Sequence, residues 1–396
     1  MRLSLLAAAT AGLFSTHAHA WGAAGHEIVA TIAEIHLHPQ VLAFLKLNLL
    51  PNYAQGHLAP IATWPDRIRM VPEYRGWSGQ LHYGSWEGDH PPQVCAWPGQ
   101  GGDEEGKGGW HSENDIIHAV ANYTARLESN PHDWESLRFL VHFLGDIHQP
   151  LHLTSRERGG NGDPVLWEGR RTNLHSLWDG LLIARALREQ SNYTAPLPRC
   201  APSRLWLCCL PRDLPLTCEV ASACSKQIES ALTGRIYDPF IRLLLWEGVR
   251  TWWRLSLPTW FTCAPSSLSP SPPPSHPAQL VLGSTTPAVE QTVCPVTWAT
   301  DTHGTTCAMG FPDGYDEHGA PPVEAGGTSE FYRHIRDSLT LERLLTQAGL
   351  RLAATLNTVL GPAAAASAQS ALAGEGSAQE GVLNLRWVEE AEREGW

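Results

Sequence analysis

The chain has 396 residues and a formal net charge of −12 at pH 7, with 40 acidic against 28 basic residues. This acidic balance argues against a nucleic-acid partner held by a basic surface. It still permits an enzyme that acts on phosphates, because bound metal ions can supply positive charge locally. Whether the chain holds metal therefore decides what it can do.

The first twenty residues have the features of a secretory signal peptide. Arg2 supplies the positive charge, an apolar run extends from Leu3 to Phe14, and Ala18 to Ala20 form a cleavage site of small residues. The run is too short to span a membrane, and the alternative interpretation is an uncleaved N-terminal anchor. We expect a secreted, extracellular protein whose mature chain begins at Trp21.

Other features suit a secreted chain. Nine cysteines indicate disulfides formed in an oxidising compartment, and the odd number leaves at least one unpaired. Asn122 and Asn192 each begin an Asn-Tyr-Thr sequon, so both are predicted glycosylation sites.

Hydrophobic periodicity predicts a mainly α fold. The predicted helices lie, in chain order, within GHEIVATIAEIHLHPQVLAFL, SENDIIHAVANYTARLES, WESLRFLVHFLGDIHQP, HSLWDGLLIARALRE and SLTLERLLTQAGLRLAATLNTVLG. The second begins at Ser112, and the third is apolar almost all round and stops at Pro150, so it is expected to be central and buried. Between His152 and His175, Gly-rich turns around a short apolar run predict a hairpin-like loop.

Three segments do not fit this helical pattern. Residues 263–290 include a Pro/Ser-rich loop, and residues 362–396 form a low-complexity C-terminal tail. Residues 199–225 lack any period and contain five cysteines. They form either a disulfide-rich surface insertion or a segment that is not part of the working protein, such as a translated intron, because they break the local consistency of folded sequence.

Paired histidines and aspartates indicate a metal site. His142 and Asp146 are four residues apart in the buried helix, so they share one face, and His175 and Asp179 repeat the spacing. One such pair is most often a hydrogen-bonded core histidine, but two pairs with His152 between them favour metal binding. Imidazole with carboxylate is a typical ligand set for zinc.

The chain resembles the secreted zinc-dependent single-strand nucleases and 3′-nucleotidases of fungi and plants, which are distantly similar to bacterial zinc phospholipases C. The motifs that carry this resemblance are, in order, WGAAGHEIVA, ATWPDRIR, LHYGS, ANYTARL, RFLVHFLGDIHQPLH, GGNGDPV and NLHSLWD. They cover about residues 21–195, and the similarity resumes near LTGRIYDPF and TWATDTHGTTCAMGF. The resemblance implies a single-domain, mainly α, zinc phospholipase C/nuclease-like fold over residues 21–361 with a small β-hairpin.

The resemblance also implies three Zn²⁺ per chain and assigns a ligand set to each. The first set is the amine and carbonyl of Trp21 with His26 and Asp146, the second is Asp66, His82, His142 and the bridging Asp146, and the third is His152, His175 and Asp179. An α-amine at Trp21 exists only after the signal peptide is removed, so secretion and metal assembly are coupled in this interpretation.

Further roles come from the same resemblance. Asp66 would orient the attacking hydroxide, Arg69 would add charge beside the transition state, and Tyr83 would stack on a base. Ser85 departs from the family's acidic residue, which puts base preference in doubt. Cys95 and Cys307 occupy positions that the family joins by a disulfide, whereas a pairing of Cys263 with Cys294 is suggested by position alone.

The function implied is hydrolysis of single-stranded DNA and RNA to 5′-phosphorylated products, with removal of phosphate from 3′-nucleotides by the same cluster. We expect neither a membrane partner nor an obligate protein partner. A phospholipase C-like hydrolase with the same metals is the first alternative. A secreted protein with a structural or vestigial zinc site is the second, although structural zinc sites are usually closed and rich in cysteine.

Overall fold

The computed structural model describes residues 21–97, 114–193, 226, 228–263, 293–312, 315 and 322–374. Several predicted features lie outside these residues: the signal peptide 1–20, the helix start at Ser112, nearly all of the two segments 199–225 and 263–290, and the end of the tail from residue 375.

Helices dominate the described chain, which confirms the mainly α fold. The α-helices are α1 (Ala23–Ile35), α2 (Pro39–Asn48), α3 (Trp64–Ile68), α4 (Ile116–Ser129), α5 (Trp134–Asp146), α6 (Glu157–Gly160), α7 (Leu174–Ser176), α8 (Leu182–Glu189), α9 (Asp238–Leu243), α10 (Leu257–Trp260), α11 (Pro295–Met309), α12 (Glu330–Asp337) and α13 (Thr340–Gly374). The π-helical segments Leu177–Leu181 and Leu244–Trp252 continue α7 and α9, respectively. The 3-10 turns are Asn52–Ala54, Ala59–Ile61, Ser78–His82 and Pro150–His152.

Helix α5 lies at the centre of the fold, as the sequence predicted. It packs against α1, α3, α4 and α13, and its residues from Phe139 to Asp146 are all buried. Helix α13 also packs along α1 and α2. Polar side chains that α5 carries, such as His142 and Asp146, are therefore far from bulk water.

A small sheet adjoins the helices. Strands β1 (Pro164–Trp167) and β2 (Arg170–Asn173) form the predicted hairpin, in which Val165 pairs with Thr172. The two-residue turn uses positive φ angles at Glu168 (51°) and Gly169 (75°), as a tight hairpin requires. Strand β3 (Val323–Glu324) adds to β1 in parallel. The hairpin leads directly into α7 and so positions His175.

Several helix boundaries differ from the sequence-based expectation. Helix α4 begins at Ile116 because Asp115 is its N-cap and accepts hydrogen bonds from the amides of Ile117 (2.9 Å) and His118 (3.0 Å). Helix α5 ends at Asp146, before Pro150. The first predicted helix is two helices, since Pro39 begins a new one.

The last helix is longer than predicted. Helix α13 continues through Pro362 to Gly374, so residues 362–374 of the expected tail are helical. Ala364 in this extension is buried against the core, and alanine-rich sequence has high helix propensity.

Two disulfides link distant parts of the chain. Cys95 is bonded to Cys307, and Cys263 is bonded to Cys294. The neighbouring Thr306 hydroxyl donates a 2.5 Å hydrogen bond to the carbonyl of Pro150. The first disulfide therefore holds α11 behind the turn that carries His152.

The two predicted glycosylation sites lie in different surroundings. Asn122 is within α4, where the hydroxyl of Thr124 donates to the carbonyl of Val120 at 2.7 Å. Asn192 is exposed after the end of α8. Glycosylation of each stays a prediction.

Within the described ranges, none of the helices combines the length and the hydrophobicity that a bilayer crossing requires.

A substitution at Gly349 tests whether α13 packs closely against α1. A Cβ at this position would lie 2.5 Å from Cγ2 of Ile32 and 3.1 Å from the carbonyl oxygen of Val29. We expect Gly349→Ala to destabilise the fold by about 1–2 kcal/mol, because overpacking outweighs the better helix propensity of alanine. Thermal unfolding should shift down by about 2–6 °C.

The matched control is Gly304→Ala in α11, where an added Cβ meets no atom within 4 Å. This change should leave the melting temperature unchanged or slightly raised, because only helix propensity is altered. Equal melting temperatures for both variants would contradict the close packing of α1 on α13.

Candidate metal centre

Asp146 is the centre of a buried polar cluster at the C-terminal end of α5. Its Oδ2 lies 3.0 Å from Nδ1 of His82 and 3.1 Å from Nε2 of His142. Its Oδ1 lies 3.2 Å from Nε2 of His26 and 3.7 Å from Nδ1 of His152. The two oxygens of one carboxylate thus face different groups of imidazoles, which is the geometry of a bridging ligand.

The described residues contain three groups that could hold a metal ion, each with ligand atoms within 4.8 Å of one another. The groups are His26 with His142 and Asp146, Asp66 with His82 and His142, and His152 with His175 and Asp179. All eight side chains are buried. The structure thus brings together every side chain that the sequence analysis named as a ligand apart from Trp21, whose predicted role belongs to its backbone.

The first two groups share α5. His142 and Asp146 stand one turn apart on the helix, as their spacing predicted, and the ring of His26 from α1 stacks on His142 with centroids 3.8 Å apart. Oδ1 of Asp66, from α3, lies 3.9 Å from both Nδ1 of His82 and Nε2 of His142.

The third group is assembled from the Pro150–His152 turn and the helix after the hairpin. Nε2 of His175 lies 3.1 Å from Oδ2 of Asp179, and the rings of His152 and His175 are stacked 5.1 Å apart. Asp179 lies in the π-helical segment Leu177–Leu181. Such segments are frequent at functional sites.

Backbone carbonyls fix which ring nitrogen of three histidines faces the cluster. Each Nδ1 donates to a carbonyl oxygen, which can only accept: His142 to Ala62 (2.7 Å), His152 to His82 (2.7 Å) and His175 to Gly159 (2.6 Å). In the neutral imidazole the other nitrogen, Nε2, then carries a lone pair. These lone pairs point at carboxylates. Because both groups are acceptors, a proton or a metal cation must lie between them. Such outer hydrogen bonds are typical of metal-ligating histidine.

Burial and charge act against each other in this cluster. Burial lowers the pKa of His26 and His82, and lowers the pKa of His152 to about 4. For His142, burial is outweighed by the carboxylates of Asp146 and Asp66, so its pKa is raised. For Asp146, burial is outweighed by the surrounding histidines, and its pKa lies well below the usual range. The site therefore favours an ionised carboxylate at Asp146, which is the protonation state of a metal-ligating aspartate.

The donor atoms fit a divalent cation. Bonds of 2.0–2.2 Å at tetrahedral angles place neighbouring ligand atoms about 3.3–3.6 Å apart, and the separations of 3.0–3.9 Å among Asp66, His82 and His142 bracket this value. Nε2 of His152 and Oδ1 of Asp146 are buried and make no hydrogen bond to any described residue. Buried polar atoms without such a partner are rare, and a cation would satisfy both.

The predicted first residue of the mature chain lies beside these groups. The ring of Trp21 is fully buried, and the amide of Gly22 donates a 2.7 Å hydrogen bond to the backbone carbonyl of Asp179. This bond ties the start of the described chain to the helix of the third group, close to His26 on α1.

Comparison with known proteins agrees with this geometry. Residues 21–208 match the family model described as S1/P1 nuclease, a range that includes all the clustered residues. Over these residues, close to half of the chain, the sequence is similar to the S1/P1 nuclease family. These similarities support the interpretation that the chain is a nuclease, that is, a hydrolase acting on nucleic acid.

Individual relatives are similar over different spans. Nuclease P1 of Penicillium citrinum is 39% identical over 163 residues, covering 40% of this chain and 57% of that protein. Nuclease S1 of Aspergillus oryzae is 38% identical over 181 residues, covering 45% and 59%. Endonuclease 4 of Arabidopsis thaliana is 28% identical over 351 residues, covering 86% and 89%. The similarity to these two fungal nucleases is confined to part of the chain, whereas the similarity to Endonuclease 4 extends over most of it.

Two other predicted residues lie at the edge of the cluster. The guanidinium of Arg69 is 3.9 Å from Oδ1 of Asp66. Tyr83 directly follows the buried His82, and its side chain is 48% exposed. An exposed ring next to a buried ligand can meet a substrate that reaches the cluster.

The residues that orient the ligands were not predicted from the sequence. The carbonyl of Ala62 and the buried side chain of Gln149 have no spacing or composition signal that marks them. Gln149 lies within the motif HQP between two predicted ligands, and only its position next to His148 and Pro150 could have drawn attention to it.

Removal of divalent metal tests the cluster as a whole. We expect a chelator to lower the melting temperature by about 10 °C, because the folded state alone holds the cations and the groups left behind are buried without compensation. Zn²⁺ should restore the melting temperature and Mg²⁺ should not, since imidazole nitrogens dominate the donor set. A melting temperature unaffected by chelation would contradict a cation-dependent cluster.

Proposed function

We propose that the chain is a secreted zinc-dependent endonuclease that hydrolyses single-stranded DNA and RNA to 5′-phosphorylated products. The observation that supports this proposal is the position of Asp146, whose two carboxylate oxygens face different buried histidines in a region similar to nucleases.

Zinc is the metal that the donors favour, and we propose three ions per chain. The groups consist of imidazole nitrogens and carboxylate oxygens, without thiolate, and zinc sites with open positions commonly have three such ligands. We assign the three ligand sets as the family resemblance implies, with the amine and carbonyl of Trp21 completing the set of His26 and Asp146. The position of Gly22 against Asp179 supports that assignment.

Bound zinc would supply positive charge for the phosphate and lower the pKa of water to near 7. The chain's own residues would place the reactants. Asp66, which enters the cluster from α3, would accept a hydrogen bond from the attacking water and orient it. Arg69, beside Asp66, would hold a phosphate oxygen and stabilise the charge that develops on it.

Preference for single strands follows from burial of the cluster. The ligand side chains have little contact with solvent, so a phosphate between stacked, paired bases cannot approach them. An unpaired base can turn aside and stack on Tyr83, which is exposed beside His82. We infer that removal of a terminal phosphate from 3′-nucleotides uses the same residues, because a terminal phosphate needs no second nucleotide.

Native mass spectrometry of the secreted, deglycosylated protein tests the metal and the start of the chain together. We expect a mass that begins at Trp21 and adducts of three zinc ions. The same preparation should cleave denatured DNA faster than duplex DNA and should not turn over phosphatidylcholine micelles. One zinc or none on a correctly cleaved chain would overturn the proposal, and turnover of the micelles would favour a phospholipase C-like enzyme.

Asp66→Asn tests the assigned chemistry. This change keeps the shape of the side chain but removes its charge, so we expect kcat on denatured DNA to fall roughly 10²–10⁴-fold and zinc to bind more weakly. Asp133→Asn at the N-cap of α5 is the control, because asparagine also caps helices and Asp133 accepts from Ser136 rather than a ligand. Normal zinc content and unchanged cleavage by the Asp66→Asn protein would exclude our assignment.

A further inference from the structure

Gln149 is fully buried between the end of α5 and the turn that carries His152. Both ends of its amide are used. Its Oε1 accepts a 2.5 Å hydrogen bond from the backbone N–H of Leu151, and its Nε2 donates a 2.5 Å hydrogen bond to Oδ1 of Asp179. One side chain thus connects the elements that supply two members of the third group.

The orientation of this amide is determined by its neighbours. The backbone N–H of Leu151 can only donate, so the amide oxygen of Gln149 must face it. The NH₂ group then faces Asp179, whose carboxylate can accept when ionised. A flipped amide would place two donors together at one end and two acceptors together at the other. The contact is therefore a directed hydrogen bond to a charged acceptor, which is stronger than a neutral one.

The hydrogen bond distinguishes the two oxygens of Asp179. Oδ1 is held by Gln149 and lies 3.9 Å from Nε2 of His152, whereas Oδ2 faces Nε2 of His175 at 3.1 Å. The backbone carbonyl of Asp179 is held separately by the amide of Gly22. The side chain and the main chain of Asp179 are thus each fixed by one residue.

We propose that Gln149 is the positioning residue of the third group: it holds Oδ1 of Asp179 so that the carboxylate coordinates through Oδ2 alone. With His152 and His175, Oδ2 of Asp179 would complete a set of three protein ligands for a bound metal, which would supply positive charge to a substrate phosphate. The inference rests on the proposed zinc-dependent function. Without Gln149 the carboxylate could turn and present both of its oxygens to the bound metal.

Two variants separate positioning from packing. Gln149→Met keeps a side chain of similar length but removes the donor, and Gln149→Glu keeps the shape but places an acceptor against the carboxylate of Asp179. Gln347→Met is the control, because Gln347 is also a buried glutamine but accepts from Arg343 on α13. Each protein is produced as the full secreted chain, and circular dichroism melting confirms its folding.

Zinc titration against a chromophoric chelator and the visible spectrum of the Co²⁺-substituted protein are the main readouts. We expect both Gln149 variants to bind one zinc roughly 10- to 100-fold more weakly, because loss of an outer hydrogen bond to a metal ligand lowers metal affinity by about this factor. The other zinc ions should keep their affinity. Gln149→Met should also weaken the Co²⁺ absorption, because coordination through both oxygens raises the coordination number. Cleavage of denatured DNA should show a lower kcat with little change in KM.

Unchanged affinities and Co²⁺ spectra in folded Gln149 variants would overturn the inference, as would equal changes in Gln347→Met. Failure of the proposed function itself has a different signature, because the parent protein would then bind no zinc or cleave no DNA. If Gln149→Met does not fold, the isosteric Gln149→Glu carries the test alone.

Discussion

The ionised carboxylate of Asp146 is the constraint on which the rest of the structure depends. It is fully buried at the end of the central helix, and an isolated charge in such a place costs far more than a folded domain can supply. Four imidazoles from α1, α5 and two 3-10 turns surround it. Those of His142, His26 and His152 lower the pKa of its carboxyl group. The positions of the elements that carry these histidines are therefore stabilised by electrostatic attraction to Asp146 as well as by apolar packing.

Outer hydrogen bonds turn this cluster into an ordered site. Carbonyls of Ala62, His82 and Gly159 each fix one histidine ring, and the amide of Gln149 fixes Asp179. All four contacts come from irregular backbone or from residues next to helix ends. The α-helices supply rigid positions for His26, Asp66, His142, Asp146 and His175, and irregular segments supply the backbone groups that orient the rings.

The acidic net charge of the chain is compatible with a nucleic-acid substrate under the proposed function. Cations confined to one cleft would concentrate positive charge where the phosphate must bind, while the remaining surface repels extended nucleic acid. A nuclease of the proposed kind would recognise a strand at the reacting phosphate and at an adjacent exposed ring, for which we propose Tyr83, rather than along a basic groove. Such recognition would favour flexible, unpaired strands over stiff duplexes.

Much of the fold and of the site follows from the sequence alone. Periodicity determined the helical class and the central, buried place of α5, and the four-residue spacing of His142 and Asp146 determined their common face. These are local properties, since a helix converts spacing into direction. The hairpin before His175 was equally readable, because its turn chemistry is local.

Tertiary structure alone decided the rest. The addition of β3 to β1 and the close contact at Gly349 both depend on residues distant in sequence. The same is true of the orientation of Asp146, whose two oxygens face different histidines. It is also true of the hydrogen bond from Gln149 to Asp179, whose partners lie 30 residues apart. The sequence identifies the chemical groups. The distance and angle at which two groups meet are set by the packing of separate elements, and no pattern within one segment encodes them.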